Sequence, residues 1–247
     1  MKKQITPAIL TIALLALWQV IAMAINAAYI LPSPLQILIR LWELRVVLIT
    51  VHLPATMAVT IIGLLISIVF GLTMAVVMDR FPSVESAVYP LVVASQTIPI
   101  TAIAPLFVLW FGYSIWSKIL VTILITFFPI TIAVFDGFKS TKREMEELLL
   151  TYGATKNDIF VALKIPTALP SFFSAIKMAI PLSVIGAAIA EWLGAQSGLG
   201  YFSKRMMTQL DGAGVFAPVV LLSVAAMLMV AIISCVEKRI LKWRKEI

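Results

Sequence analysis

One cysteine, one histidine and twelve acidic side chains are all that 247 residues offer as the usual side-chain ligands for a metal site. Cys235 alone excludes an internal disulfide framework, and His52 as the sole histidine leaves a His/Cys zinc centre without enough ligands. The carboxylates are scattered, so no constellation for acid, base or metal catalysis converges. A Gly-x-x-x-x-Gly-Lys-Ser/Thr phosphate cradle is also missing, along with the acidic metal-binding set that would accompany it. The chain is therefore expected to carry no catalytic residue, no metal ligand and no cofactor of its own.

What the sequence has in abundance is apolar surface: 62% of residues are hydrophobic and only 13% are charged. One soluble core is too small a place to bury that excess, which points to an all-α integral membrane protein. Nineteen Lys and Arg give a net charge of +7. In a membrane chain such an excess gathers in cytoplasmic loops and does not require nucleic acid.

Long uncharged intervals mark the spans, since a membrane helix needs about 20 apolar residues. Met1-Lys2-Lys3 followed by Ala8–Ile25 has the basic and apolar parts of a signal peptide. It lacks a small-x-small cleavage site and reads as a retained first span. Ala55–Met78 is uncharged throughout. Ser86–Ser117 is also uncharged but is interrupted by Pro90, Pro99 and Pro105, so it reads as one broken or bent helix rather than two complete spans. Ile119–Phe135, ended by Asp136-Gly137, is a fourth. A stretch from about Ser171 to Leu193, with Lys177 snorkelling and Glu191 near the other boundary or facing protein, is a fifth, and Val215–Val236 the sixth.

With the N-terminus inside, fourteen basic residues fall on the cytoplasmic side: Lys2, Lys3, Arg80, Lys139, Lys142, Arg143, Lys156, Lys164, Lys177, Lys238, Arg239, Lys242, Arg244 and Lys245. Arg40, Arg45, Lys118, Lys204 and Arg205 fall opposite. That asymmetry places both termini of a multi-pass membrane protein in the cytoplasm. The expected divisions are 1–54, a first membrane helix and extracytoplasmic connector; 55–236, a membrane core with a cytoplasmic loop at 137–170; and 237–247, a basic tail. Trp18, Trp192 and Trp243 fall in separate parts of this topology and read as packing or interface anchors.

The loop carries helical signals of its own. Lys142 and Arg143 face Glu146 and Glu147 one turn on, Gly153 interrupts, and Thr155-Lys156-Asn157-Asp158 resembles a capping box with Asp in the Glu/Gln place. Ile159, Phe160 and Leu163 form an apolar cluster on the next short helix, which Pro166 and Pro170 are expected to limit. Such a cluster fits a groove on a cytoplasmic partner, or else rests on lipid or on the chain's own core.

Glu147-Leu148-Leu149, Gly153 and Leu163-Lys164-Ile165-Pro166 keep the spacing of the Glu-Ala-Ala loop, and the chain resembles the permeases of binding-protein-dependent ABC importers. Leu148 and Leu149 stand where the two alanines usually stand. Ile30-Leu31-Pro32-Ser33-Pro34, Pro105–Gly112 and Ala190–Gly200 extend the resemblance to the branch carrying aliphatic sulfonates, taurine, nitrate and thiamine-related pyrimidines, and Glu191-Trp192-Leu193-Gly194-Ala195 looks most like the pyrimidine-precursor members.

The resemblance implies a MetI-like permease fold with six transmembrane helices. It implies a coupling helix near Gly153–Leu163 that docks an ATPase subunit through Glu147, Gly153, Ala154, Asp158, Ile159, Phe160, Leu163 and Pro166. The implied partners are a second permease copy in a homodimer, two cytoplasmic ABC ATPase subunits that hold ATP and Mg, an extracytoplasmic substrate-binding protein, and membrane lipid. Gln96, Thr97, Pro99 and Pro105, at the distorted helix, and Glu191 are candidate pathway or gating residues. Hydropathy alone also admits a secondary transporter or a membrane scaffold.

Overall fold

The computed structural model describes residues 2–242, with side chains described from residue 9. The side chains of Lys2 and Lys3 and the tail from Trp243 onward, including Arg244 and Lys245, lie outside the described residues. Helices α1 (Lys2–Ile25), α2 (Pro34–Val47), α3 (Leu53–Arg80), α4 (Pro82–Ser95), α5 (Ile100–Phe111), α6 (Ile115–Lys139), α7 (Arg143–Thr151), α8 (Lys156–Ile159), α9 (Ile165–Gly194), α10 (Leu199–Thr208) and α11 (Gly212–Ile240) follow one another without a strand among the described residues.

Four helical runs are long and apolar enough to cross a membrane: Pro34–Arg80, Ile115–Lys139, Lys156–Gly194 and Gly212–Ile240. The pair α4 and α5 turns by 100° at the Gln96–Pro99 break, and Ile9–Ile25 adds a shorter apolar helix. With the bent pair counted as one span these make five, and the shorter Ile9–Ile25 helix brings the number into rough accord with the six expected, the bend falling at Pro99 as its prolines imply.

Two expectations about helix ends are corrected. The helix that begins at Lys156 does not stop at Pro166 and Pro170 but runs on to Gly194, and Pro54 likewise lies inside a continuous run from Pro34 to Arg80. The expected division at residue 54 therefore falls within one helix. Each run contains a π turn, at Leu48–His52 and at Phe160–Lys164, which ends two residues before the proline. There Leu53 N–H donates to Leu48 O and Ile165 N–H to Phe160 O. Proline lacks a donor and its ring clashes with the carbonyl four residues back. The wider π turn keeps the helix continuous just ahead of the proline. Asp136-Gly137 also lies inside α6 instead of ending it.

The centre of the bundle is α3, α6 and α9, with α6 between the other two. A Cβ on Gly63 would lie 2.7 Å from Thr122 Cγ2, and one on Gly186 would lie 2.8 Å from Ile125 Cδ1 and 3.3 Å from Thr122 Cα. Both neighbours thus approach α6 closely at one level. Small residues at such crossings allow the dispersion contact that holds helices together where lipid removes the hydrophobic incentive. Most hydroxyls in this core are satisfied locally: those of Thr126 and Thr131 donate to carbonyls four residues back, and Ser67 shares a 2.6 Å hydrogen bond with Thr126, whereas the buried Thr60 hydroxyl has no partner among the described residues.

Charges collect at the two ends of the bundle. At the end bearing α7 and α8, Lys139 pairs with Glu85 at 2.8 Å and Lys177 with Glu237 at 2.7 Å. At the opposite end Arg40 of α2 pairs with Asp211, the residue that caps α11. Lys177 thus has a carboxylate partner from α11.

Overpacking at the α3–α6 crossing is the sharpest test of this arrangement. Gly63→Leu is expected to destabilise the protein by about 1–3 kcal/mol, read as a lower midpoint of thermal unfolding in detergent, whereas Leu65→Ala, on an exposed face of the same helix, leaves the midpoint near that of the parent.

Candidate coupling surface and pathway residues

The connector after α6 is built by local hydrogen bonds. Arg143 Nε donates to Glu147 Oε1 at 2.8 Å, the expected one-turn pair, with both side chains exposed. α7 ends in a tight reversal in which Gly153 N–H donates to Leu150 O and Ala154 N–H to Leu149 O. Gly153 has φ +83°, and a Cβ there would meet nothing within 4 Å. Glycine is thus required by the backbone angle and not by space. Thr155 then caps α8: its hydroxyl accepts from Asp158 N–H at 3.3 Å while Asp158 Oδ2 accepts from Thr155 N–H at 2.8 Å. Asp158 completes the box in place of Glu or Gln.

The exposure expected of Ile159 and Phe160 is corrected. Ile159 is 5% exposed, and Phe160 is half-buried with its ring 5.3 Å from that of Phe138 near the end of α6. The physical reason is the π turn, which joins α8 to α9 and lays this face of the connector on the bundle. Leu163, Pro166 and Ala154 are half-buried. What faces outward is Leu148, Leu150, Tyr152 at 82% exposure and Val161.

Two residues at the end of α3 hold the connector. Lys164 Nζ donates to both carboxylate oxygens of Asp79, at 2.9 and 3.1 Å, and Glu146 of α7 approaches the same ammonium at 3.7 Å. The side chain of Asp79 is 6% exposed. Next to it, Arg80 Nη1 donates to Asn157 Oδ1 at 3.1 Å. Sequence reasoning treats Arg80 and Lys164 as topological charges and passes over Asp79. The one available signal is an acid directly after a long uncharged span.

Gln96, Thr97 and Pro99 come together at the break between α4 and α5, all exposed, with Pro99 at the N-terminus of α5 and Pro105 inside it, also exposed. The Thr97 hydroxyl donates to Ala94 O at 2.7 Å. Glu191 does not join them. It is 1% exposed, and its Oε2 accepts from Gly200 N–H at 2.8 Å. His52 Nδ1 accepts from Gly198 N–H at 3.1 Å and Thr56 Oγ1 from Leu199 N–H at 2.8 Å. Three consecutive donors at the start of α10 are thus each taken by a different buried side chain, two from the α3 run and one from α9. Open donors at a helix start favour such acceptors, a carboxylate above all. Gly198 has φ +124°, and a Cβ there would collide with the Glu191 carboxyl group. Gly194 faces the Tyr113 ring and Gly200 the Ala188 carbonyl, so these glycines serve contacts within the chain.

A groove of ≈330 Å³ opens between α9, α10 and α11, lined by Val184, Ala188, Trp192, Ser203, Leu222 and Ser223 among others. Its wall is almost wholly apolar, and none of the five candidate pathway residues lines it.

Several apolar membrane-length helices with a structured, ion-paired connector at one end define a multi-pass membrane protein. The chain belongs to the family of binding-protein-dependent transport system inner membrane components, whose model matches residues 67–242. It is 54% identical over 240 residues to the formylaminopyrimidine transport permease protein of Halalkalibacterium halodurans, covering 97% of this chain and 96% of that one. It is 29% identical to the riboflavin transport system permease protein of Chloroflexus aurantiacus, over 93% and 87% of the two chains. A putative aliphatic sulfonates transport permease protein of Bacillus subtilis is 29% identical, over 99% and 88%. The chain is accordingly the permease subunit of an ABC importer, in the branch its motifs resemble.

The Glu191 contact separates acceptor from charge. Glu191→Ala leaves a buried Gly200 donor unmade and is expected to cost about 1–3 kcal/mol. Glu191→Gln keeps an amide oxygen for that donor and loses less. Melting of the two purified variants in detergent measures the difference.

Proposed function

We propose that this permease imports a formylated aminopyrimidine, a thiamine-related precursor, in a complex of two copies of this chain, two ATPase subunits and an extracytoplasmic binding protein. The observation that carries the cargo is the 54% identity over nearly the whole of both chains to a permease named for formylaminopyrimidine, against 29% to one named for aliphatic sulfonates. The apolar groove, with few polar groups to recognise a cargo, supports leaving selection to the binding protein.

In this reading the end bearing α7 and α8 is cytoplasmic, as are both termini, in accord with the basic residues gathered there. ATP and Mg belong to the partner ATPases, which hydrolyse the nucleotide. Glu147, Gly153, Ala154, Asp158, Ile159, Phe160, Leu163 and Pro166 make the coupling element, with a division of labour. Asp158 and Gly153 set its shape, Ile159 and Phe160 anchor it to the bundle, and Tyr152, Leu148 and Val161 present the apolar surface for the ATPase. ATP-driven closure of the ATPases moves the coupling elements, opens the pathway outward to the docked binding protein, and resets after hydrolysis. Gln96, Thr97, Pro99 and Pro105 lie where a broken helix exposes backbone to the pathway between two copies, and Glu191 contributes by holding the extracytoplasmic turn.

Two measurements test this. Titration of the cognate binding protein with formylaminopyrimidine, taurine, an aliphatic sulfonate and riboflavin is expected to show tightest binding of the pyrimidine, followed by its ATP-dependent uptake into proteoliposomes holding the whole complex; preference for a sulfonate overturns the cargo. Gly153→Leu strains the reversal by about 1–2 kcal/mol and is expected to reduce both co-purification of the ATPase and uptake, with Gly153→Asn retaining more of each.

A further inference from the structure

The polar contacts that α3 makes with other segments through charged side chains or helix-start amides lie at its two ends, while its middle packs against α6. At one end Asp79 and Arg80, adjacent in sequence, take hold of the connector at two places, Lys164 at the end of its π turn and Asn157 at the start of α8. Those two points lie on the order of 10 Å apart along a helix, about two turns. Glu146 adds α7 to the same ammonium. At the other end of the run, His52 and Thr56 hold the Gly198 and Leu199 amides at the start of α10. The third holder of that turn, Glu191, lies on α9, the helix continuous with the connector.

We infer that Asp79 and Lys164 are positioning residues of energy coupling: their ion pair makes α3 move with the connector and so carries its displacement to the Gly198–Gly200 turn on the opposite side. This rests on the coupling role proposed above for the connector. Hydrophobic contact between Phe160 and Phe138 permits sliding, whereas a largely buried ion pair does not release at low cost, because a lone buried charge is strongly unfavourable. Such pairs act as registry devices. Neither residue is among the buried apolar side chains of the core cluster, and Asp79 is the one acid that α3 carries.

The experiment uses the whole complex in proteoliposomes, with formylaminopyrimidine, the cognate binding protein and ATP. Uptake per ATP hydrolysed is measured for the parent, for Asp79→Asn, and for the exchange Asp79→Lys with Lys164→Asp. The exchange is made in a Glu146→Gln background, itself measured alone, so that no second carboxylate faces the one introduced at position 164. A Thr208→Cys probe at an exposed position of α10, in a Cys235→Ser chain, reports ATP-dependent change in thiol accessibility on the far side.

The expected result is that Asp79→Asn still assembles with the ATPase and hydrolyses ATP, while uptake per ATP falls roughly tenfold and the accessibility change at residue 208 is lost. The exchange restores most of both. An unchanged ratio in Asp79→Asn overturns the inference. So does an exchanged pair that assembles but stays uncoupled, and so does failure of both variants to assemble, which makes the pair a folding contact. Absence of ATP-dependent uptake by the parent complex strikes instead at the importer and its proposed cargo.

Discussion

Everything else in this molecule hangs on the approach of α3 and α9 to α6 at Thr122. Inside a bilayer, exchanging lipid contact for helix contact gains little hydrophobic energy, so association depends on close dispersion contact and on hydrogen bonds. Gly63 and Gly186 meet α6 at that one residue, where neither could carry a methyl group without displacing a side chain. The three helices consequently form a single packed unit. Large apolar side chains such as Leu65, Val69 and Phe70 are left exposed on its outer face, where lipid or another helix must meet them.

Such a unit has little tolerance for unpaired polarity, and the polar groups are disposed accordingly. Most mid-span hydroxyls return to their own helix, the buried Thr60 excepted. The ion pairs lie at the ends: Asp79 with Lys164, Glu85 with Lys139, Lys177 with Glu237, Arg40 with Asp211. The turn before α10 is the strictest case, since three of its amides are buried and three side chains from two spans meet them. The two π turns answer the same backbone constraint. They carry the chain through prolines that would otherwise end a helix, and so make the connector continuous with a membrane span.

Much of the connector is legible without its structure, because its determinants are local. A glycine before a Thr-x-x-Asp box specifies a reversal and a fresh helix through contacts no more than five residues apart. The break at Gln96–Pro99 is legible for the same reason, as proline acts on its own turn. Of the settings that sequence leaves open for Ile159 and Phe160, the structure shows the chain's own core. An apolar pair on a short capped helix has the same pattern whether it meets a partner or its own bundle, and only Phe138, distant in sequence, decides between them. His52, alone of its kind, carries no pattern that could link it to Gly198.

The amino-acid sequence by itself determined the membrane class, the number of spans, the position of the broken one and the reversal at Gly153, since hydropathy over about 20 residues and turn chemistry over four are properties of contiguous chain. Tertiary structure alone decided which face of the connector is free, that Asp79 meets Lys164 and that Glu191 holds a glycine turn instead of standing open. Those are pairings between helices remote in sequence. Their geometry follows from how closely α3, α6 and α9 pack, a quantity that no single segment contains.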